Sequence, residues 1–298
     1  MSNVVCLFHD DCYDGLGAAW ALSKRFPDAE YINVRYKEPP PVGLEGKVVY
    51  IVDFCYPLPD LIEIARVAEE LHVLDHHKGM AETIALFNDA MRLMGFDRSK
   101  FNGLFDTTRS GALLTWETLH PGLPAPMIIH YISDRDLWQF KFEETKAVLA
   151  GLGSYPMDLA MWDRMFHWDP SYDPMDTNHP HNVFCLSLEQ DGPVVERKMS
   201  VDIERLVGLT LRKIQLGEYE VPLVNIPRTL VSEALEGLAR NAPFAAAYFD
   251  TADYREFSLR SAKDQGVDVI EIARQYGGGG HTHAAGFRVS RDHELAKV

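Results

Sequence analysis

The stretch Leu71-His72-Val73-Leu74-Asp75-His76-His77-Lys78-Gly79 decides how the chain is read: a short, mostly apolar run ends in one carboxylate and two imidazoles. A run of this length and composition is predicted as a buried strand. Adjacent titratable side chains at the end of such a strand resist desolvation, so a bound cation or an anionic substrate is the expected reason for them. Against a purely structural network, the triplet favours metal or phosphate chemistry, because buried neighbouring titratable groups concentrate at functional sites.

Outward from this stretch, the apolar runs Val4 to Phe8 and Val48 to Val52 have the same character, and helical patterns follow them at Gly15 to Arg25 and Leu58 to Leu71. Alternating strands and helices predict an α/β fold with a doubly wound, mainly parallel sheet, whose ligand site lies beyond the carboxyl ends of the strands. Each apolar run is followed within a few residues by Asp or His, so the polar groups are expected on one sheet edge.

The first such cluster is His9-Asp10-Asp11-Cys12-Tyr13-Asp14-Gly15. Imidazole and carboxylate are ligands for Mn²⁺, Fe²⁺ or Zn²⁺, although an Asp before a helix also serves as an N-cap. Asp53 ends the second run, and alone it reads as a helix or turn cap. Ser133-Asp134-Arg135-Asp136, after the apolar run Met127 to Ile132, alone reads as an exposed salt-bridged turn. Together the four clusters supply enough ligands for two cations about 3.5 to 4 Å apart, the arrangement that activates water and clamps an in-line phosphoryl displacement.

Further along, the Pro-, Asp- and His-rich segment Trp168 to His181 is predicted as a surface loop, with His167, His179 and His181 facing water. Pro193 to Leu216 reads as a linker helix between a larger domain over 1–192 and a smaller one over 217–298. The smaller domain is expected to hold strands at Val221 to Ile226, Phe244 to Tyr248 and Glu256 to Leu259, and a helix at Val231 to Arg240. In Tyr276-Gly277-Gly278-Gly279-Gly280-His281, uncovered backbone amides form an anion-binding concavity, or the glycines are a flexible link. Arg260, in Ser258-Leu259-Arg260-Ser261, offers a guanidinium for bidentate phosphate contact, or is a surface strand residue. Thr107-Thr108-Arg109-Ser110-Gly111-Ala112 opens a helix where free amides and Arg109 face an anion, or where Thr108 caps.

With 298 residues and 46% hydrophobic content the chain can fill the cores of two domains. A formal net charge of -15 argues against binding long duplex nucleic acid, which needs many Lys and Arg contacts to phosphates. The cysteines Cys6, Cys12, Cys55 and Cys185 show no disulfide framework, and the N-terminal apolar run is too short for a signal peptide or a membrane span. A cytoplasmic protein with no membrane partner is expected.

These ordered motifs resemble those of the DHH phosphoesterase superfamily with its C-terminal DHH-associated domain, in particular its oligoribonuclease, pAp-phosphatase and RecJ-like members. The resemblance rests on His9 to Gly15, Asp53, Asp75 to His77, Asp134, and Gly277 to His281 followed by Ala284-Ala285-Gly286-Phe287. It implies two divalent ions, usually Mn²⁺, in the larger domain and substrate capture by a smaller domain with a mixed sheet; the family often forms homodimers, and the sequence leaves the oligomeric state open. By the same resemblance His9, Asp14, Asp53, His76 and Asp134 are metal ligands, Asp53 bridges, Asp75 orients His76, and His77 contacts the scissile phosphate. Arg260, Ser261 and the loop Gly278, Gly279, Gly280 and His281 hold the substrate's phosphate or terminal nucleotide. Cys12 stands where the family pattern has an aspartate. Asp11 is expected to supply the missing carboxylate; the alternatives are one ligand fewer, or a Cys12 thiolate that favours Zn²⁺ or iron.

The expected activity is a metal-dependent phosphodiesterase hydrolysing short single-stranded oligonucleotides or linear dinucleotides to mononucleotides. Competing readings are a phosphomonoesterase or polyphosphatase acting on small esters such as adenosine bisphosphate, and a non-catalytic nucleotide-binding module, which Cys12 motivates.

Overall fold

The three apolar runs become neighbouring parallel strands in the computed structural model, which describes residues 3–35, 38–263 and 267–297. The chain divides into two compact units, Met1–Val195 and Glu196–Val298. The first unit opens with β1 (Val4–His9), α1 (Tyr13–Ser23), β2 (Glu30–Val34), β3 (Val48–Val52), α2 (Leu58–Val67), β4 (Glu70–Asp75), α3 (Ala81–Leu93) and β5 (Phe101–Phe105). Its sheet has the order β2-β1-β3-β4-β5 with every pair parallel. The chain leaves β1 toward β2 and leaves β3 in the opposite direction, so the carboxyl ends of β1 and β3 flank the switch point where open sheets bind ligands.

Helices α4 (Gly111–Leu119), α5 (Met127–Asp136), α6 (Thr145–Leu152), α7 (Leu159–Met165) and the long α8 (Pro180–Thr210) follow. Helix α1 is buried from Asp14 to Leu22, consistent with its apolar residues all round. Its Ala18, Ala19 and Leu22 pack on Cys6, Tyr50 and Val52 of the sheet. Its opposite side sets Leu16 and Trp20 among Trp116, Ile129, Ile132, Trp162 and Phe166. Burial of each such large side chain contributes about 1.5–3 kcal/mol, so α1 is firmly anchored and its N-terminal turn is a rigid platform.

The segment before α8 differs from the expected solvated loop. His167 is exposed, but His179 and His181 are buried. His181 Nε2 accepts the Ile128 amide at 3.3 Å, and its ring packs against Trp20, Phe166 and Tyr172. The Tyr172 hydroxyl accepts the Met127 amide at 3.1 Å and donates to Asn182 Oδ1 at 2.9 Å. Local composition marks a segment as polar but carries no record of which distant groups it satisfies.

The second unit carries β6 (Arg212–Leu216), β7 (Tyr219–Asn225), α9 (Val231–Ala239), β8 (Ala245–Asp250), β9 (Tyr254–Arg260), α10 (Val269–Gln275), β10 (Gly279–His281) and β11 (Ala284–Ser290). These form a mixed sheet, β10-β11-β9-β8-β7-β6, in which the β7–β8 pair is parallel and α9 makes the crossover. The helix expected over 193–216 begins earlier and stops sooner: Pro193 lies inside α8, and Arg212–Leu216 alternates as a strand with Ile214 and Leu216 buried. A proline reads naturally as a first helical residue, which is why the sequence places the start too late.

The glycine run is not a flexible link: it caps a helix and continues as an edge strand. Gly277, at φ 72°, ends α10 as its amide donates to Arg274 O and the Gly278 amide donates to Ala273 O, the paired bonds of a Schellman motif. Gly279–His281 then pair with β11, so close that a Cβ on Gly278 would lie 2.1 Å from Gly286 O. No helix among the described residues is long and apolar enough to cross a membrane.

Candidate metal centre

The polar clusters meet at the carboxyl ends of β1, β3 and β4. Asp14 in the first turn of α1, Asp53 after β3, His76 after β4 and Asp136 at the end of α5 surround one point. His76 Nε2 lies 3.3 Å from Asp14 Oδ2, 3.2 Å from Asp53 Oδ1 and 3.5 Å from Asp136 Oδ2. Asp14, Asp53 and His76 are each 2% exposed or less.

The backbone is arranged to hold these groups. Asp53 adopts φ 61°, a left-handed conformation that costs a non-glycine residue about 1–3 kcal/mol and persists only where surrounding structure imposes it. Its amide donates to Leu74 O at 2.9 Å. Helix α4 abuts it through Gly111, where a Cβ would lie 2.6 Å from Asp53 Cβ and 2.7 Å from its Oδ1. The first amides of α4, on Gly111 and Ala112, donate to the Asp14 carboxylate at 2.6 and 2.9 Å, and Ser110 caps the helix. A carboxylate at a helix N-terminus is favoured by the macrodipole, so Asp14 is fixed in place and remains an acceptor toward His76. These bonds replace the free amides expected at this helix start, and Thr108 donates to Asp106 instead of capping.

Charge at this point is unbalanced. Burial and the neighbouring Asp53 raise the Asp14 carboxyl above its ordinary range, and burial with the Asp14 charge pushes Asp136 up to about 7. Burial opposes charge on His76, yet Asp14, Asp53 and Asp136 raise it to about 12. Asp53 is held well below the usual carboxylate range against its burial, by His76 and His9. Both Asp53 oxygens and Asp136 Oδ2 are buried without a hydrogen-bond donor. Three carboxylates converging in low dielectric on one imidazole, with these oxygens making no hydrogen bond, fit a cation, which satisfies them all at once.

Among the described residues of this unit, two sets of ligand atoms are close enough for this, each within 4.8 Å of one another: Asp14, Asp53 and His76, and His9, Cys12 and Asp53. Asp53 belongs to both, the position of a bridging carboxylate. His9 Nδ1 lies 3.8 Å from Asp53 Oδ2 and is itself buried without a hydrogen-bond partner. Asp11, expected as a ligand, turns away at φ 54°, is exposed and lies outside both sets. Burial and the charges of Asp53, Asp136 and Asp14 raise the Cys12 thiol well above its ordinary value. Asp10 is turned to Asn33 and Arg35.

Asp75 is fully buried, and its ring partner is His77: Oδ1 accepts from His77 Nδ1 at 2.7 Å and from the amides of His76 and His77 at 2.7 and 3.1 Å. Burial opposes protonation of His77, but Asp75 raises it to about 9. Asp134 is not in the cluster. Its oxygens accept from the Lys141 and Phe142 amides and from Thr145 Oγ1, at 2.8, 3.2 and 2.5 Å, so it braces the loop into α6. The residue that faces His76 is Asp136, about 200° further round the helix. Reading Met127 to Ile132 as a helix, then phasing the two aspartates, is the sequence signal that finds Asp136.

Arg109 is paired with Asp106 and Glu117 at 2.8 and 2.7 Å, which occupies the guanidinium expected to face an anion. In the second unit, Arg260, Ala284 and His281 share one rung across β9, β11 and β10. The Arg260 guanidinium donates to Leu259 O at 2.9 Å and to Ser232 Oγ at 3.4 Å. Ser261 Oγ donates to Val267 O at 2.8 Å and lies 3.0 Å from His283 Nδ1.

No family model matches the chain. It is 26% identical over 311 residues to the uncharacterised protein R106 of Acanthamoeba polyphaga mimivirus, covering 96% of this chain and 67% of that protein. Among solved structures it is similar to RecJ of Thermus thermophilus in complex with Mn²⁺, at TM-score 0.47 and 14% identity over 95% of this chain and 49% of that one. It is also similar to PggH, a pGpG-specific phosphodiesterase from Vibrio cholerae, at TM-score 0.42 and 14% identity over 99% of this chain and 95% of that one.

Proposed function

We propose that the chain is a metal-dependent phosphoesterase of the DHH type that hydrolyses short single-stranded oligonucleotides or linear dinucleotides. The observation that carries this reading is the buried Asp53, neither of whose oxygens makes a hydrogen bond, shared by two ligand sets at the switch point of a parallel sheet. Asp14, Asp53, His76 and Asp136 would hold one divalent ion, with Mn²⁺ the expected occupant, and His9 and Asp53 would hold a second. When bound, such ions supply Lewis acidity toward a phosphoryl oxygen and toward water.

The chain's own residues do the rest. Asp75 holds the Nδ1 proton of His77, so at neutral pH the imidazolium keeps an Nε2–H to donate to a nonbridging phosphate oxygen. Asp14, anchored by two α4 amides, keeps His76 and the cation ligands from rearranging as charge develops. The larger unit is the catalytic domain in this reading, and the smaller captures substrate through Arg260, Ser261 and the Gly278 to His281 segment. A net charge of -15 supports a small substrate over a long polyanion.

The test is product analysis on Mn²⁺-loaded protein given a linear dinucleotide, a longer oligonucleotide and adenosine bisphosphate. Mononucleotide release that disappears in Asp53→Ala and His76→Ala supports the reading. Hydrolysis unchanged in those variants overturns it, and release of inorganic phosphate alone assigns a phosphomonoesterase instead.

A further inference from the structure

The ligand set at His9 departs from an all-oxygen-and-nitrogen site, and resting on the metal-centre reading above, we infer that Cys12 is a thiolate ligand of the cation held with His9 and Asp53. Cys12 occupies the N-cap of α1, at φ -136° and ψ 130°, but its side chain makes no capping bond. That position strongly favours Ser, Thr, Asp or Asn when its purpose is to satisfy helix amides. The Cys12 sulfur instead falls within 4.8 Å of a His9 nitrogen and an Asp53 oxygen.

An independent observation points to a ligand at the same place. The Asp53 carboxylate is 1% exposed with neither oxygen hydrogen-bonded, and His9 Nδ1 is likewise buried without a partner. An imidazole nitrogen, a sulfur and a carboxylate oxygen thus lie within 4.8 Å of one another, the nitrogen and the oxygen without a hydrogen bond. The neighbouring Asp11, the other source of a carboxylate, is exposed and lies outside both ligand sets. A coordinating thiol gives up its proton to solvent as the cation binds, so the sulfur joins as thiolate and one proton is released.

The consequence is a centre with two unlike halves. The set of Asp14, Asp53 and His76 offers oxygen and imidazole, suited to Mn²⁺. The set of His9, Cys12 and Asp53 includes a soft sulfur, which selects Zn²⁺, Co²⁺ or Fe²⁺ over Mn²⁺ or Mg²⁺. The centre then takes a mixed pair of cations when both kinds are offered.

The full-length protein, stripped with chelator and titrated with Co²⁺, tests this. The expected result is a near-ultraviolet sulfur-to-cobalt charge-transfer band that saturates as the first equivalent binds, is lost in Cys12→Ser and is retained in Cys55→Ala. Cadmium NMR of the wild-type protein reads the same contact without any variant, through a resonance shifted into the sulfur-ligated range. In Cys12→Asp the preference for Zn²⁺ over Mn²⁺ should fall by at least the about 10- to 100-fold seen for changes in groups that merely support a ligand. Absence of both the band and the shifted cadmium resonance in loaded wild-type protein overturns the inference. A band without dinucleotide hydrolysis would sink the proposed activity and leave Cys12 a ligand; hydrolysis with Mn²⁺ and no band does the reverse.

Discussion

Gly111→Ala isolates the geometry of the centre without removing a ligand. An added Cβ would sit 2.6 Å from Asp53 Cβ, 2.7 Å from Oδ1 and 2.9 Å from Cγ. Carbon atoms pack at about 3.5–4.0 Å, so the aspartate or the start of α4 must move by about 1 Å. Neither moves freely: Asp53 is held in a left-handed conformation at the end of β3, and the Gly111 amide is bonded to Asp14 at 2.6 Å. Displacement of a positioned group by about 1 Å costs about 10²-fold in rate, or about 2.7 kcal/mol of barrier. Overpacking costs about 1–3 kcal/mol of stability, offset by up to about 1 kcal/mol from the better helix former. The protein should therefore stay folded, with a melting temperature lowered by a few degrees, while kcat on a linear dinucleotide and the calorimetric affinity for Mn²⁺ both fall. Rate and metal affinity indistinguishable from wild type would refute the claim that Asp53 must occupy this position.

Four further outcomes are expected. Asp136→Asn should weaken Mn²⁺ binding and activity by about tenfold or more without loss of thermal stability, since it removes one charge from a cluster of like charges. Asp134→Asn should do the opposite, losing about 1.5–3 kcal/mol in denaturant melts as its charged bonds to the Lys141 and Phe142 amides weaken, with less effect on chemistry; equal losses of activity would undo the distinction. His77 should titrate near 9 in chelator-treated protein, and the stability it contributes, complete below its ordinary 6.5, should disappear as pH rises through 9. Asp75→Asn should bring that titration down, read from the imidazole NMR signals. His181, held neutral by burial with its titration lowered to about 3 from 6.5, should make the protein less stable as pH falls between those values; His181→Leu, which leaves the Ile128 amide unpaired, should lower the melting temperature and spare metal binding.

The sequence by itself determined the scaffold and its chemical edge. Val4 to Phe8, Val48 to Val52 and Leu71 to Leu74 are apolar enough to be buried strands, and His9, Asp14, Asp53 and His76 follow them closely enough that a parallel sheet brings them together. That much is local: a strand's length and its terminal residue fix where the terminal side chain emerges. Weakly patterned elements were not legible, among them β2, a partly exposed edge strand, and β5 at the other edge.

Tertiary structure alone decided which of several adjacent polar residues faces the centre. Asp11 and Cys12 are neighbours, but the left-handed turn at Asp11 sends one outward and the other toward Asp53. Asp134 and Asp136 differ by two residues, but on a helix that separation carries them to opposite sides, one toward loop amides and one toward His76. His179 and His181 read as solvated until the packing of α8 buries them. Polar character is a property of the residue, whereas the direction in which it points is set by backbone dihedrals and by partners far away in the chain.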